Sequence, residues 1–369
     1  MFIVSINPRF FQLSAFLFKD PVRATPLESE FHLAISAQCR RLHCQNFRLT
    51  ILRTGEPLQL ELAMGKKIKP AGSSAHFSGH ETFPLRQMWL KKAIEQSVHN
   101  VIPKSAFTDE NAIAAFGVGK NMVAAIRHWA LACNVMRDDT PTGYTITKTA
   151  FAIFDDAGFD PYSENPNTAW YVHWWLAGKG NRATTWHWLF NHVTSPIFSR
   201  EDLEAPLAEF ARKIQPNRKL SSATLSRDIE TCLRSYAPRL SGGTPEDYAE
   251  PMLAELGLIY EEHRGNFAFR RGPKATLSDG MFTYALLDFW EVTAPGLSSL
   301  AFESIAYGEG SPGRVFKLDE DSVAERLFNL EGLTKGALSW TDTAGLRQVH
   351  RKAEKMAGLS EIMIEKAYE

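Results

Sequence analysis

The sequence predicts a mainly α-helical α+β fold in which small β-hairpins follow pairs of short helices. Apolar residues recur at helical spacing behind helix-capping residues, and turns rich in Pro and Gly separate short extended segments. The order of helix, short turn, helix and hairpin is that of a winged helix, and it occurs more than once. We therefore expect two or three winged-helix-like units around an aromatic-rich helical middle.

The composition is that of an ordinary globular protein. The chain has 369 residues, of which 44% are hydrophobic and 22% charged, and its formal net charge is -1. This length suffices for two or three domains. No apolar run approaches the roughly 18 residues of a membrane span, so we expect no membrane partner. The four cysteines form neither a CxxC pair nor a disulfide framework, which favours a reducing cytoplasm.

Positive charge is concentrated in one part of the chain. Between Met64 and Ala150 there are eleven Lys or Arg residues and six Asp or Glu residues, so this segment carries about five excess positive charges. The remainder of the chain is correspondingly acidic. A local basic excess is typical of a segment that contacts nucleic acid. This segment is therefore the first candidate for DNA binding.

The first 63 residues differ from the rest in pattern. Their apolar start lacks the basic region and the cleavage site of a secretory signal. We interpret residues 1–63 as an extraneous or disordered extension, with the functional protein beginning near Met64; the alternative is a small N-terminal unit of strands. Three further regions are predicted: an N-terminal winged-helix-like domain (64–160), an aromatic helical region with a second helix-turn-helix (161–240) and a C-terminal winged-helix-like region (241–369).

The first winged-helix-like unit is predicted from the segment that follows residue 107. Thr108 is expected to cap a short helix that stops at Gly117, because acidic residues occupy its first turn. A second helix follows the turn and would be the reading helix, the helix whose side chains contact DNA. Its side chains that could reach phosphates or base edges are Lys120, Asn121, Arg127 and His128.

The same pattern recurs further along the chain. Ser199 is expected to cap one helix, and the next helix carries an apolar face with Arg227 on the outside. A later hairpin with an Arg-Gly-Asn turn has a basic exit. The nucleic-acid-binding candidates in these elements are Arg227, Arg270, Arg271 and Lys274. The alternative is that the helix-turn-helix pieces only pack against each other or bind other proteins.

The most aromatic stretch lies between residues 168 and 193. The spacing favours paired helices whose tryptophans, including Trp170, Trp174 and Trp186, form a core. The alternative is a platform on which unpaired bases stack, with Lys179 and Arg182 contacting the backbone.

Three histidines of this stretch are conceivable metal ligands. His173, His187 and His192 lack zinc-type spacing with a cysteine or a carboxylate partner. We therefore expect no metal site there.

The segment FSGHETFPLR (residues 77–86) holds the best local catalytic set. His80 could accept a proton or bind a metal, Glu81 could hold a divalent cation, and Arg86 could neutralise a phosphate. His80 and Glu81 can face one site only in a turn, which Gly79 favours. The alternative is that Glu81 and Thr82 cap the next helix while His80 hydrogen-bonds the backbone.

Several segments together resemble a bacterial family long catalogued as a domain of unknown function, which includes the DNA-nicking subunit of single-strand DNA phosphorothioation systems. The resemblance covers about residues 77–351 and leaves residues 1–63 outside. It rests on FSGHETFPLRQMWLKKA, FGVGKNMVAAIRHWALACNVM, TTWHWLFN, LAELGLI, RGPKATL, YALLDFW, EGSPGRVFKLDEDSV and WTDTAGLRQV.

This resemblance implies a DNA-acting component of a phosphorothioation modification or phage-defence system. It implies DNA, sulfur-transfer proteins and an ATPase as partners, and makes the chain a candidate metal-dependent DNA nickase with Mg²⁺ or Mn²⁺ as candidate cofactor. It carries over no catalytic residue. A non-catalytic winged-helix DNA-binding adaptor or regulator and a protein-interaction scaffold remain as alternatives.

Overall fold

The computed structural model describes residues 75–238, 251–343 and 345–369, together with the backbone of four N-terminal strands. The chain divides into two compact units, Met1–Ile68 and Lys69–Glu369. In the first unit the four strands form one sheet in chain order, with β2 and β3 parallel: β1 (Val4–Asn7), β2 (Gln12–Ala15), β3 (Arg48–Arg53) and β4 (Glu56–Leu60). The rest of the predicted extension, and Met64, lie outside the described residues.

The second unit is a mixed α+β structure, as the sequence predicts. Its first half comprises α1 (Trp89–Ile94), β5 (Val101–Pro103), α2 (Ala112–Phe116), α3 (Lys120–Ala132), β6 (Met136–Arg137), β7 (Gly143–Ile146), α4 (Lys148–Phe154), α5 (Pro166–His173) and α6 (Thr184–His192). Its second half comprises β8 (Ile197–Ser199), α7 (Arg200–Ile214), α8 (Ser222–Tyr236), β9 (Ile259–His263), β10 (Asn266–Phe269), α9 (Asp279–Thr293), β11 (Ser299–Ala301), α10 (Phe302–Tyr307), α11 (Pro312–Val315), α12 (Glu320–Phe328), α13 (Leu330–Leu333), β12 (Leu338–Thr343), β13 (Leu346–Arg351) and α14 (Leu359–Ala367).

Three small antiparallel sheets in this unit share one topology. In each, a single strand precedes two or more helices, and a hairpin follows whose second strand pairs with the first strand. The strand orders are β5-β7-β6, β8-β10-β9 and β11-β13-β12. Buried residues face each other across the central pairs, Ile102 opposite Tyr144 and Leu300 opposite Val349. Each sheet therefore has an apolar side.

Local capping chemistry explains several of the element boundaries. The Ser199 hydroxyl accepts from the Asp202 amide, and the Asp202 carboxylate accepts from the Ser199 amide, which completes the predicted cap of α7. Gly117 ends α2 in the left-handed conformation, as predicted. The prediction for Thr108 is wrong: α2 begins at Ala112, and the Thr108 hydroxyl bonds to carbonyls of the preceding 3₁₀ turn.

The aromatic stretch forms the centre of the core. Helix α5 continues into a π-helical segment, Trp174–Lys179, which ends at the left-handed Gly180 before α6. Four tryptophans of the aromatic stretch are at most 4% exposed: Trp170, Trp174, Trp186 and Trp188. The core interpretation is confirmed. The base-stacking alternative is wrong for these four, because their faces are inaccessible. None of the described helices is long and apolar enough to cross a membrane.

His173 is buried in this core, and its protonation is linked to stability. Val315 O can only accept, so His173 Nε2 donates to it (2.9 Å) while Nδ1 accepts from the Tyr236 hydroxyl (2.7 Å). Burial lowers the pKa of His173 to about 3. Below pH 6.5 the unfolded chain binds a proton that the folded chain does not bind until about pH 3. Stability should therefore fall as the pH falls through this window.

We expect the free energy of unfolding to fall between about pH 7 and pH 5, by up to about 1.4 kcal/mol per pH unit below 6.5 from His173 alone. Urea unfolding at several pH values measures this slope. A His173→Leu variant will be less stable at neutral pH, but its stability should decline less steeply with acidification. An equal slope in both proteins would contradict the assignment.

Candidate functional site

The segment FSGHETFPLR (residues 77–86), which we call the signature segment, contains a strained turn. Phe83 N donates to His80 O (2.8 Å), and the two residues between them have positive φ angles, 49° at Glu81 and 66° at Thr82. A β-branched residue rarely adopts such angles, and each strained position costs on the order of 1–3 kcal/mol. Helix α1 begins only at Trp89, without a side-chain cap. The expectation that Glu81 and Thr82 cap this helix is therefore wrong.

His80 is locked in a buried hydrogen-bond network. Its Nδ1 accepts from the Thr82 amide (3.1 Å), so its Nε2 carries the proton and donates to Asp228 Oδ1 (2.6 Å). The Thr185 hydroxyl donates to the other oxygen of Asp228. The network joins the turn to α8 and α6. Because both imidazole nitrogens are engaged, His80 has no free lone pair for a substrate.

Aromatic rings surround His80. Its ring stacks on Trp129 with an interplanar angle of 16°, and the rings of Trp186 and His128 meet it edge-on, each with a centroid distance of 5.8 Å. Trp129 Nε1 also donates to Phe83 O (3.0 Å), which ties the turn to α3. The predicted reading helix is thus packed against the signature segment.

His128 has an unsatisfied nitrogen beside this network. The residue is 7% exposed, and its Nε2 has no hydrogen-bond partner. Burial, followed by electrostatic interaction with His80 and Arg182, holds the pKa of His128 well below its usual range. A Cβ at residue 79 would lie 2.7 Å from His128 Nδ1, and φ there is +111°, so Gly79 permits the close approach. A buried polar atom without a partner is uncommon and indicates a site for a ligand or water.

The charges of three arginines act on the imidazoles of His76 and His128. Burial is the largest cause of the lowered pKa of His76 and of His128. The charges of Arg182 and Arg218 lower the pKa of His76 further, and those of Arg182 and Arg127 lower the pKa of His128 further. No carboxylate among the described residues lies within ion-pair distance of the three arginines. We call this group the basic cluster: His76, Arg127, His128, Arg182 and Arg218. Such a concentration of imidazole and guanidinium groups suits a phosphate.

Hydrogen bonds hold His76 on the start of α6. The His76 amide donates to Thr184 Oγ1 (2.9 Å), and the Thr184 amide donates to His76 O (3.2 Å). Arg218 also donates to Ala75 O (3.4 Å). The segment before the signature turn is therefore attached to the same helix that supplies Thr185 to the His80 network.

The other predicted catalytic residues lie in different surroundings from His80. Glu81 is exposed on the turn. The Arg86 guanidinium lies over the Trp89 ring, 5.3 Å from its centroid. Of the three, only His80 is part of the buried network.

The predicted nucleic-acid-binding residues fall into three groups. Lys120, Asn121, Arg227, Arg270 and Arg271 are exposed. Arg127 and His128 belong to the basic cluster. Lys274 is buried: its Nζ donates to backbone carbonyls, at 2.9 Å for Gly272 O, and burial lowers its pKa to about 8. Lys274 therefore stabilises its own loop.

Several site residues were missed by the sequence analysis. Asp228 and Thr185 belong to the His80 network, and His76 and Arg218 belong to the basic cluster. Arg182 was considered only as an aid to base stacking. One signal was available for Asp228, because an acid on the apolar side of an amphipathic helix predicts a buried partner. Nothing in the sequence says which residue that partner is.

The fold and the basic cluster define an α+β protein with a candidate phosphate-binding site. The chain belongs to the family described as Protein of unknown function (DUF4007), whose model matches residues 77–368. Its structure is similar to a crystal structure of SspB and to a magnesium-ion-bound crystal structure of SspB. Each is 27% identical to this chain, with a TM-score of 0.71, covering 80% of this chain and 88% of that chain. No curated protein matches.

Proposed function

We propose that this protein is a DNA-acting component of a phosphorothioation modification or defence system and that it nicks DNA. The similarity to SspB, a protein of a phosphorothioation system, supports membership of such a system. The observation that carries DNA contact is the basic cluster, with its three arginines and the unpartnered Nε2 of His128. DNA, sulfur-transfer proteins and an ATPase are the partners in this proposal.

In this proposal the three sheet-containing segments are winged-helix modules. The shared strand order, with the last strand central, and the helices between the first strand and the hairpin support this. Helix α3 is then the reading helix of the first module. Lys120 and Asn121 are exposed at its N-terminal end, where reading helices contact base edges.

The chemistry we propose is hydrolysis of one phosphodiester bond. Water attacks phosphorus, and the new P–O bond replaces the bond to the leaving oxygen. The proton released by the water passes to a base, and the leaving oxygen takes a proton from solvent. In this proposal His128 accepts the proton at its unpartnered Nε2, and its lowered pKa leaves it neutral at neutral pH. The arginines of the basic cluster would stabilise the charge on the phosphate. His80 acts as a positioning residue, with Glu81 and Arg86 as further candidates and Mg²⁺ or Mn²⁺ as candidate cofactor.

Conversion of supercoiled plasmid to open circles, with Mg²⁺ or Mn²⁺, tests this proposal. The wild-type protein should nick, and His128→Gln should nick at least about 100-fold more slowly, which is the lower range for loss of a general base. Glu81→Ala tests the exposed carboxylate of the turn. Lys213→Ala, which removes one exposed charge on α7, is the control and should nick like the wild type. Equal rates for His128→Gln and wild type would exclude His128 as the base.

A non-catalytic DNA-binding adaptor is the second candidate. It is favoured by the saturation of His80, whose two nitrogens are both engaged within the protein. An adaptor would bind DNA in a salt-dependent manner without cleaving it under any metal condition. If DNA binding is absent as well, the protein-interaction scaffold becomes the better interpretation.

A further inference from the structure

A second group of side chains, which shares no residue with the basic cluster, has the composition of a metal site. His187 and His192 lie on α6, and Glu309 lies in the loop before α11. One ligand atom from each lies within 4.8 Å of the other two. The sequence analysis expected no carboxylate partner for these histidines. That expectation is wrong, because Glu309 approaches them from 122 residues beyond His187.

The distances within this group match those between ligands of one metal ion. His187 Nε2 and His192 Nε2 lie 3.4 Å and 3.3 Å from the same oxygen, Glu309 Oε1. Hydrogen bonds between a charged nitrogen and a carboxylate are shorter, at about 2.7–2.9 Å. Ligand atoms about 2.0–2.1 Å from a tetrahedral ion are about 3.3–3.4 Å apart.

The tautomer of His187 also suits a metal. Its Nδ1 lies 2.9 Å from Ala177 O, which can only accept, so the proton is on Nδ1. The amide of Asn191 donates to Ala177 O and His187 O, at 2.8 Å and 2.9 Å, so Asn191 supplies no competing proton. In neutral His187 the lone pair of Nε2 then faces a carboxylate oxygen, and a cation between the two atoms would satisfy both. A carbonyl bound to the second ring nitrogen is the usual outer contact of a metal-bound histidine.

Buried contacts hold the Glu309 loop against α6. Gly310 N donates to Asn191 Oδ1 (2.7 Å), and Arg314 Nη1 donates to Asn191 O (2.5 Å). These contacts keep Glu309 Oε1 beside the Nε2 atoms of His187 and His192. An ionised carboxylate and a neutral imidazole are the forms that bind a metal.

We propose that His187, His192 and Glu309 form a zinc site with an open fourth position. The open position follows from exposure, since the side chains of His192 and Glu309 are 32% and 54% exposed. Two histidines and one carboxylate are a known zinc ligand set, whereas Mg²⁺ prefers oxygen ligands. This inference stands on the geometry of the group and does not rest on the proposed nicking activity.

Isothermal titration of tag-free, full-length protein with ZnCl₂ tests the site, with zinc content after dialysis as a second readout. We expect one zinc ion per chain and a zinc-dependent increase in Tm. His187→Ala and Glu309→Gln should each weaken zinc binding at least about tenfold. His263→Ala, which removes an exposed histidine of β9, is the matched control and should bind zinc like the wild type.

Three results would overturn the site. The first is no stoichiometric zinc uptake by the wild-type protein, in which case the group is a simple ion pair. The second is unchanged binding by both His187→Ala and Glu309→Gln, which would place the zinc elsewhere. The third is displacement of zinc by an equal concentration of MgCl₂, which would exclude an imidazole-based site. Because these measurements use no DNA, they are independent of the nicking assay.

Discussion

Replacing Asp228 with alanine should lower the free energy of unfolding by about 2–6 kcal/mol, because two buried donors lose their acceptor at about 1–3 kcal/mol each. Those donors are His80 Nε2 and the Thr185 hydroxyl. Asp228 is only 2% exposed, so water cannot replace the lost carboxylate. The turn held by His80 should loosen at the same time, since its strained residues depend on surrounding contacts.

Guanidinium unfolding followed by tryptophan fluorescence measures this loss, and Trp129 and Trp186 beside His80 report on the site. Asp321→Ala, which removes an exposed acid of α12, is the control and should cost less than about 1 kcal/mol. A double-mutant cycle of Asp228→Ala with Thr185→Val should be less than additive. A loss below 1 kcal/mol for Asp228→Ala would contradict a stabilising role of the network.

Removal of the three arginines of the basic cluster should sharply weaken DNA binding. In duplex DNA, each lost phosphate contact reduces the slope of log K against log salt by about 0.9, so the triple alanine variant should lose up to about 2.7 of this slope. The reason is that Arg127, Arg182 and Arg218 have no acidic neighbour within ion-pair distance among the described residues. Their charge is therefore available to a phosphate.

Fluorescence anisotropy with one labelled duplex at several salt concentrations checks this prediction. The control is a second triple alanine variant with the same net charge, which removes the exposed Arg212, Lys213 and Lys355. It should change the slope much less. Equal effects of the two variants would mean that DNA binding depends on overall charge and not on the basic cluster.

The parts of the fold that local chemistry determines could be predicted from the sequence. Ser199 and Asp202 lie three residues apart, so their reciprocal cap is visible in the sequence. Gly117 and the Arg264-Gly265 turn mark the end of a helix and a hairpin for the same reason. Thr108 failed as a cap because the preceding 3₁₀ turn bonds its hydroxyl, and this turn has no clear sequence signal.

The chemistry of both sites depends on contacts between distant residues, which residue types alone do not reveal. His80 was selected from the sequence together with Glu81, yet Glu81 is exposed and the hydrogen-bond partner of His80, Asp228, is 148 residues away. His187 and His192 were set aside for want of a carboxylate, which Glu309 supplies across the fold. Periodicity predicts which face of a helix is buried, but not which element covers it.

The bond between His80 and Asp228 has a consequence for how the chain must be handled. The predicted N-terminal domain, residues 64–160, contains His80 but neither Thr185 nor Asp228. A fragment cut at that border would lack both partners, and the signature turn would lose its anchor. Contacts between residues so far apart form late in folding, because closing a long loop costs entropy before any contact offsets it. During synthesis, the site can therefore close only after α8 has been made.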